Sequence, residues 1–416
     1  MLFLVYMFNF VDRQLLVILQ ESIKQDLGFS DTQLGMMSGF AFALLYVSFG
    51  IPIARMADRG NRRNIVALSL GIWSLMTAIC GLSYSFIQML LARMGVAVGE
   101  AGGGPPALSM ISDLYSEKNR ATAMSIYSSG IYAGLIAGYV FGGWLGDTYG
   151  WRTAFIVIGL PGVLLAALLM YTVEEPARYR PNGEIQDTGK KQEPFIETLR
   201  MLWNITAFRY IAIAGGLSCF SSYGIGNWMP SYLLRSFEVS TAEVGLWMGL
   251  TAGVGGLLGT FGGGVLVDKL KTSDKRWYIW LPAIAMLGTI PVGMVILTTN
   301  NENLAIALNG LTVLLFATWL APIIALSHEL VGPERRAQAT AVLFFLINII
   351  GMGMGPASVG ILSDAMTSAE GVDSLSYAMM AALVFGGGFG GYCFLIAGRS
   401  LVCEVSTTRY QISLNQ

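Results

Sequence analysis

Apolar residues run along this chain in long blocks, separated by short polar stretches at near-regular intervals. Crossing a bilayer as a helix takes about 20 predominantly apolar residues, and a helix satisfies its own backbone hydrogen bonds in hydrocarbon. Twelve blocks have that length: 1 to 20, 32 to 55, 64 to 84, 86 to 112, 120 to 146, 151 to 173, 207 to 234, 241 to 268, 277 to 298, 302 to 330, 336 to 362 and 374 to 398. The pattern predicts an all-α membrane protein with twelve transmembrane helices. The first block stays apolar from Met1 to Leu19 without a cleavage site, so it reads as a span and not as a signal peptide.

The longest polar interruption, 174 to 206, contains "EEPARYRPNGEIQDTGKKQEP", too polar and too often broken by Pro and Gly to span. It divides the chain into a six-helix bundle over 1–173, a linker over 174–206, a second six-helix bundle over 207–398 and a tail over 399–416. Near the end of the linker, Phe195, Ile196, Leu199, Leu202 and Trp203 share one helical face. That segment is either an interfacial helix or simply the lead-in to the seventh span.

The two halves repeat each other. "ARMADRGNRRNIV" follows the second span and "GGGVLVDKLKTSDKRW" the eighth; "SEKNRATAMSIY" precedes the fifth and "GPERRAQATAVL" the eleventh; "GGWLGD" closes the fifth and "VGILSD" the eleventh. The offsets are 210 for Asp58 and Asp268, 216 for Arg120 and Arg336, and 217 for Asp147 and Asp364. Parallel repeats of this kind build transporters whose site lies between two rocking bundles.

Composition adds that only 12% of residues are charged against 54% apolar, where soluble domains carry about 25% charged residues. Of the 25 Lys and Arg, 20 fall in one set of connections and the tail, and only Lys24, Arg152 and Arg235 in the other. Cytoplasmic loops retain Lys and Arg, so both termini are expected in the cytoplasm. The basic loops need no partner beyond membrane lipids, and a net charge of -1 gives no reason to expect nucleic acid. Cys80, Cys219, Cys393 and Cys403 show no metal spacing and are expected to be free thiols. There is no G-x-x-x-x-G-K-[ST] and only one histidine, so ATP-driven transport, a cofactor and acid–base enzymology find no support.

"ARMADRGNRR" resembles the cytoplasmic motif between the second and third helices of the major facilitator superfamily, usually G-x-x-x-D-R-x-G-R-R; Ala54 stands for the first Gly, and Gly60 and Asn61 for a variable residue and Gly. With the "DR" of the first span and "RMGVAVGEAGGGPPALSMISDLY" in the fourth, the chain is similar to the spinster branch, including its bacterial members. The resemblance covers the N-terminal half well and the C-terminal half through general superfamily features. It implies the twelve-helix fold and secondary transport, and for eukaryotic relatives the movement of sphingosine phosphate or lysophospholipids. In that fold Asp58 lies close to the start of the eleventh helix at "GPERR". Asp58, Arg59, Arg62 and Arg63, with Asp268 in the repeat, are therefore gate candidates.

Four charges sit deep in the spans: Asp12, Arg13, Arg93 and Glu100. A charge at the bilayer centre costs at least about 2.5 to 3.5 kcal/mol on insertion scales, so such residues usually face a cavity or a partner. Arg93 and Glu100 are seven apart and return to nearly the same helix face, whereas Asp12 and Arg13 point about 100° apart and must look to other helices. The first and fourth helices line the central cavity in this superfamily, and the leading expectation pairs Asp12 with Arg93, leaving Arg13 and Glu100 nearby. Protonation of Asp12 would then release Arg93 to an anionic headgroup. The resemblance assigns such roles to Asp12, Arg93 and Glu100, with Arg13 an auxiliary cation; the alternative is a charge network that merely locks the bundle.

The C-terminal half offers milder candidates for a substrate wall: Phe220, Tyr223, Asn227 and Trp228 in the seventh span and Asn348 in the eleventh, with Phe344 and Phe345 beside it. Pro105 and Pro106 are expected to kink the fourth span just below Glu100 and so form a hinge. Together these features describe a monomeric, proton-coupled secondary transporter of amphipathic, lipid-like anions. The alternatives are a multidrug or small organic-anion carrier and, more remotely, a non-transporting receptor or enzyme. Short outer loops lacking N-x-[ST] fit a bacterial inner membrane.

Overall fold

The computed structural model describes residues 1–177, 195–331, 335–370 and 374–414 and is all-helical over them. Among the described residues, ten helices are long and apolar enough to cross a membrane. They are Leu2–Leu27, Asp31–Arg59, Arg62–Cys80, Lys118–Tyr149, Trp151–Thr172, Thr241–Leu270, Trp277–Thr298, Glu302–Val331, Gln338–Thr367 and Ser374–Leu401. The two expected spans outside this set have physical reasons for standing apart. The block at 86 to 112 is broken into Phe86–Glu100 and Gly104–Leu114. Thr206–Ser236 is an unbroken helix of 31 residues, but Ser218, Ser221, Ser222 and Asn227 dilute its apolar run.

The chain forms two compact units: Met1–Lys191 with Met229–Gly253, and Gln192–Trp228 with Val254–Gln416. The division expected in the linker is thus supplemented by a hairpin, Met229–Gly253, that packs with the first unit. Its two ends coincide with irregularities in the helices that carry it. One is Pro230 inside Thr206–Ser236, and the other is the π-helical turn Thr251–Gly255.

In the first unit, Leu2–Leu27 lies along Glu117–Tyr149 because a stripe of glycines on the second helix leaves room for the first. A Cβ added at Gly134 would stand 2.4 Å from the Met7 carbonyl oxygen, and one at Gly138 2.9 Å from that of Val11. Gly130, Gly142 and Gly146 continue the stripe at spacings of four, the repeat of one helix face. Arg62–Cys80 packs on Trp151–Thr172 in the same way: a Cβ added at Gly159 would stand 2.6 Å from the Ala78 backbone nitrogen.

The break after Glu100 is a tight turn closed by Gly102 N–H to the Gly99 carbonyl and Gly103 N–H to that of Glu100. Pro105 and Pro106 belong to the first turn of the helix that follows, where their missing N–H groups cost nothing. The expected kink is therefore corrected to an interruption upstream of the prolines. Gly99, Gly102 and Gly103 fit closely against Trp73 and Ser69, so close packing also shapes this segment.

The second unit packs Thr206–Ser236, up to Trp228, against the π-helical turns Ile347–Gly353 and Val384–Gly388. A Cβ at Gly351 would meet Cys219 at 2.3 Å, and one at Gly386 would meet the Leu217 carbonyl at 2.7 Å. The linker ends in a short helix, Phe195–Asn204, with Leu202 buried and Trp203 exposed. Most of the linker, the "GPE" of "GPERR" and the side chains after Leu401 lie outside the described residues.

Candidate functional site

Three helices of the first unit bring the four deep charges together. Leu2–Leu27 supplies Asp12 and Arg13, and Phe86–Glu100 supplies Arg93 and Glu100. Arg62–Cys80 adds the buried polar groups of Trp73, Ser74 and Thr77. Asp12, Arg93 and Glu100 are 0%, 3% and 1% exposed. The pairing differs from the expected one. Arg13 Nε donates to Glu100 Oε2 at 2.6 Å, while Asp12 forms no ion pair with Arg93. Both Asp12 oxygens, the Nε and Nη1 of Arg93 and the Oε1 of Glu100 are buried without a hydrogen bond of good geometry, although Thr77 stands beside Asp12 and Asn9 beside Glu100. Asp12 nevertheless interacts electrostatically with both Glu100 and Arg93. The 100° between Asp12 and Arg13 does send them to different surroundings, but it is the arginine that finds an acid.

Arg13 is also enclosed by rings. Its guanidinium carbon lies 5.3 Å from the ring centre of Phe10, 5.2 Å from Phe42 and 5.1 Å from Tyr46; that of Arg93 lies 5.3 Å from Phe42. Sequence reading does not single out these rings. The available signal was the spacing: Phe10 stands three residues before Arg13, and Phe42 and Tyr46 are four apart on one face.

At the basic end of the same unit, "ADRGNRR" performs two structural tasks. Asn61 caps Arg62–Cys80 by accepting from the Asn64 N–H at 2.9 Å. The buried Arg62 donates to Ser109 Oγ at 2.9 Å, Glu175 Oε1 at 2.8 Å and the Pro176 carbonyl at 2.8 Å, and pairs with Asp113. Arg63 N–H donates to Glu175 Oε2 at 2.7 Å. Burial pushes the Glu175 carboxyl up, but the Arg63 N–H and the Arg62 guanidinium outweigh it and hold the group below its ordinary 4.5. Asp58 and Arg59 end Ala41–Arg59 with exposed side chains, and Asp268 pairs with Lys271 at 2.6 Å. Of the gate candidates, Arg62 and Arg63 are thus brought onto the start of the linker.

At the opposite end lies a cluster of ion pairs built on the three bases of the sparse set. Arg235 forks onto Asp31, both contacts at 2.8 Å, and donates to Glu21 at 2.8 Å; Lys24 pairs with Asp31 at 2.5 Å, and Arg152 with Asp26. All three bases of the sparse set are ion-paired, and all within the first unit.

The candidates in the second unit differ in their surroundings. Trp228 is fully buried and donates its indole N–H to the Pro356 carbonyl at 2.9 Å, the setting of a packed core side chain. Phe220 is buried edge-on to Phe385 at 5.6 Å. Asn227 is buried, Asn348 half-buried in a π-helical turn, and Tyr223 37% exposed. His328 Nε2 lies 2.7 Å from Thr340 Oγ1, and Glu329 pairs with Lys275 at 3.1 Å.

Comparison with known proteins places these features in a family. The Major Facilitator Superfamily matches residues 2–356. A crystal structure of a bacterial homologue of the human lysosomal transporter spinster, inward-facing and unoccupied, superimposes with a TM-score of 0.87 at 30% identity, over 97% of this chain and 96% of that one. An MFS-type efflux pump of Mycolicibacterium smegmatis is 32% identical over 94% of this chain and 89% of its own length. The sphingosine-1-phosphate transporter SPNS2 of Danio rerio is 24% identical over 92% of this chain and 80% of its own. The chain is a multi-pass membrane protein of the major facilitator superfamily, similar to spinster homologues.

Proposed function

We propose that this protein is a secondary active transporter, not an enzyme, that moves an amphipathic, lipid-like anion such as a lysolipid or sphingoid phosphate by alternating access, coupled to protons. The observation that carries the reading is the company of Asp12 and Arg93: two buried charged groups outside any ion pair, with unused hydrogen-bonding atoms, beside an Arg13–Glu100 pair whose second carboxylate oxygen is also unused. Leaving a buried charge uncompensated costs about 3 to 5 kcal/mol. Such groups persist where a proton or a ligand completes them. A proton on Asp12 removes one of the two negative charges near Arg93 and leaves that guanidinium the stronger anchor for a phosphate or carboxylate. Proton uptake and anion binding then favour each other, with Glu100 held by Arg13. The chain would work as a monomer of twelve spans with cytoplasmic termini in a bacterial inner membrane, with H+ as its coupling ion and no other cofactor.

Proteoliposome flux with lysolipids, sphingoid phosphates and dyes, with and without a pH gradient, tests this. Asp12→Asn should fold as wild type and lose dependence on the gradient; full gradient dependence in that variant overturns the coupling role. The similarity to an efflux pump, and a 29% identity to the probable galactarate/D-glucarate transporter GudP of Bacillus subtilis over 66% of this chain, favour a second reading as a carrier of dyes or small organic anions. Failure of lysolipids to compete with such a substrate would support it.

A further inference from the structure

The rings around Arg13 have no part in that mechanism. Phe10 rises from the same helix, while Phe42 and Tyr46 stack on a second with centroids 6.1 Å apart, and each ring centre lies within 5.3 Å of the guanidinium carbon. The Glu100 carboxylate adds an acid to the rings, 2.6 Å from Nε. A cation held within about 6 Å of several aromatic faces is attracted by their quadrupoles, and cages of this kind recognise quaternary ammonium ligands. Here the cation belongs to the protein itself.

The enclosure is not sealed: Phe10 and Tyr46 are half-buried, and the Arg13 side chain is 14% exposed. Arg93 meets the outer cage wall at Phe42, and its Nε and Nη1 are buried without an acceptor. A cation site and an anion-seeking guanidinium therefore share one ring. A guanidinium is weakly hydrated and always charged, which suits it to occupy a cage until another organic cation competes for it.

We propose that Phe10, Phe42, Tyr46 and Glu100 form an organic-cation subsite that Arg13 fills in this structure, and that a zwitterionic amphiphile takes it, its ammonium replacing Arg13 while its acidic group meets Arg93. The anionic half of this ligand rests on the function proposed above; the cationic half stands on the cage alone. A structural cluster that only stiffens the helix pair predicts no competition, because nothing would gain from the departure of Arg13.

Binding of dodecyltrimethylammonium, dodecyl sulfate and dodecylphosphocholine to the purified full-length protein in a maltoside micelle separates the two. Arg13→Ala removes the tethered competitor and frees Glu100, so affinity for dodecyltrimethylammonium should rise about tenfold. Tyr46→Leu on that background should reverse the rise, and Arg93→Gln should abolish dodecyl sulfate binding while leaving it. An unchanged or weaker cation affinity in a monodisperse Arg13→Ala protein overturns the subsite, as does a rise indifferent to Tyr46→Leu. If Arg13→Ala does not fold, Tyr46→Leu and Phe10→Leu in the wild type must weaken cation binding selectively over dodecyl sulfate, and equal effects overturn the proposal. Absence of dodecyl sulfate binding in the wild type, with the cation results intact, instead overturns the anion-transport reading.

Discussion

Arg62 shows how much a single side chain can hold. It is buried among the hydroxyl of Ser109, the carboxylates of Asp113 and Glu175 and the carbonyl of Pro176, and so ties the start of one helix to the linker. Arg62→Ala leaves Asp113 and Glu175 without their guanidinium, and hydrogen bonds to charged groups are worth about 1.5 to 3 kcal/mol each. The variant should lower the unfolding temperature clearly, whereas Arg59→Ala, at an exposed position, should not; thermal unfolding in detergent compares them. The pH dependence has a definite sign. Because Glu175 is held below its ordinary 4.5, the unfolded chain binds its proton first. Its stabilisation is present above the unfolded value and is lost as pH falls through the folded one. The stability difference between wild type and Glu175→Gln should therefore be constant near neutrality and shrink as pH falls below the ordinary 4.5 and through the lower folded value. A difference that grows on acidification would contradict the assignment. The burial of Asp12, Arg13, Arg93 and Glu100 was legible from their positions in apolar blocks. Which acid meets which base was not. Partner choice depends on the rotation of one helix against another, and a sequence fixes each helix only about its own axis.

Between elements, space decides more than chemistry. The stripe Gly130, Gly134, Gly138, Gly142 and Gly146 could be read as a close-packing face from its spacing, and the helix that fills it is Leu2–Leu27, which carries Asp12 and Arg13. The position of both charges therefore rests on these absent side chains. A Cβ at Gly134 would stand 2.4 Å from a backbone oxygen, which cannot move as a flexible side chain would. Gly134→Ala should cost about 1 to 3 kcal/mol through overpacking. Gly262→Ala, where nothing lies within 4 Å, should be neutral or slightly stabilising through helix propensity. Unfolding temperatures of the two variants test the contrast, and equal effects would remove the stripe from the account. The effect of Pro105 and Pro106 is not legible in the sequence because proline has two meanings in a helix. In the interior it bends the chain, whereas in the first turn it merely begins one. The tight turn at Gly102 and Gly103 tips the balance to the second, and no periodicity announces such a turn.

At the scale of the whole molecule, the chain's asymmetry of charge is its most legible property and makes the most exposed claim. Twenty of the 25 bases sit in one set of connections and the tail, and the three in the other set, Lys24, Arg152 and Arg235, are all consumed in ion pairs with Glu21, Asp26 and Asp31. Connections poor in free bases are the ones translocated most readily, and Lys- and Arg-rich connections the ones retained in the cytoplasm. The segment Lys271–Arg276 follows one helix of the second unit, and Thr299–Asn301 joins the next two, so these connections should lie on opposite sides of the bilayer. Thr272 and Asn300 are exposed in them. Each can be replaced by cysteine in a chain from which Cys80, Cys219, Cys393 and Cys403 have been removed. In intact bacterial cells a membrane-impermeant maleimide should label Asn300→Cys and spare Thr272→Cys until the cells are permeabilised. Labelling in the reverse order would invert the topology and place Asp58, Arg62 and Arg63 outside the cell. Equal labelling of both before permeabilisation would mean that Trp277–Thr298 does not cross the bilayer.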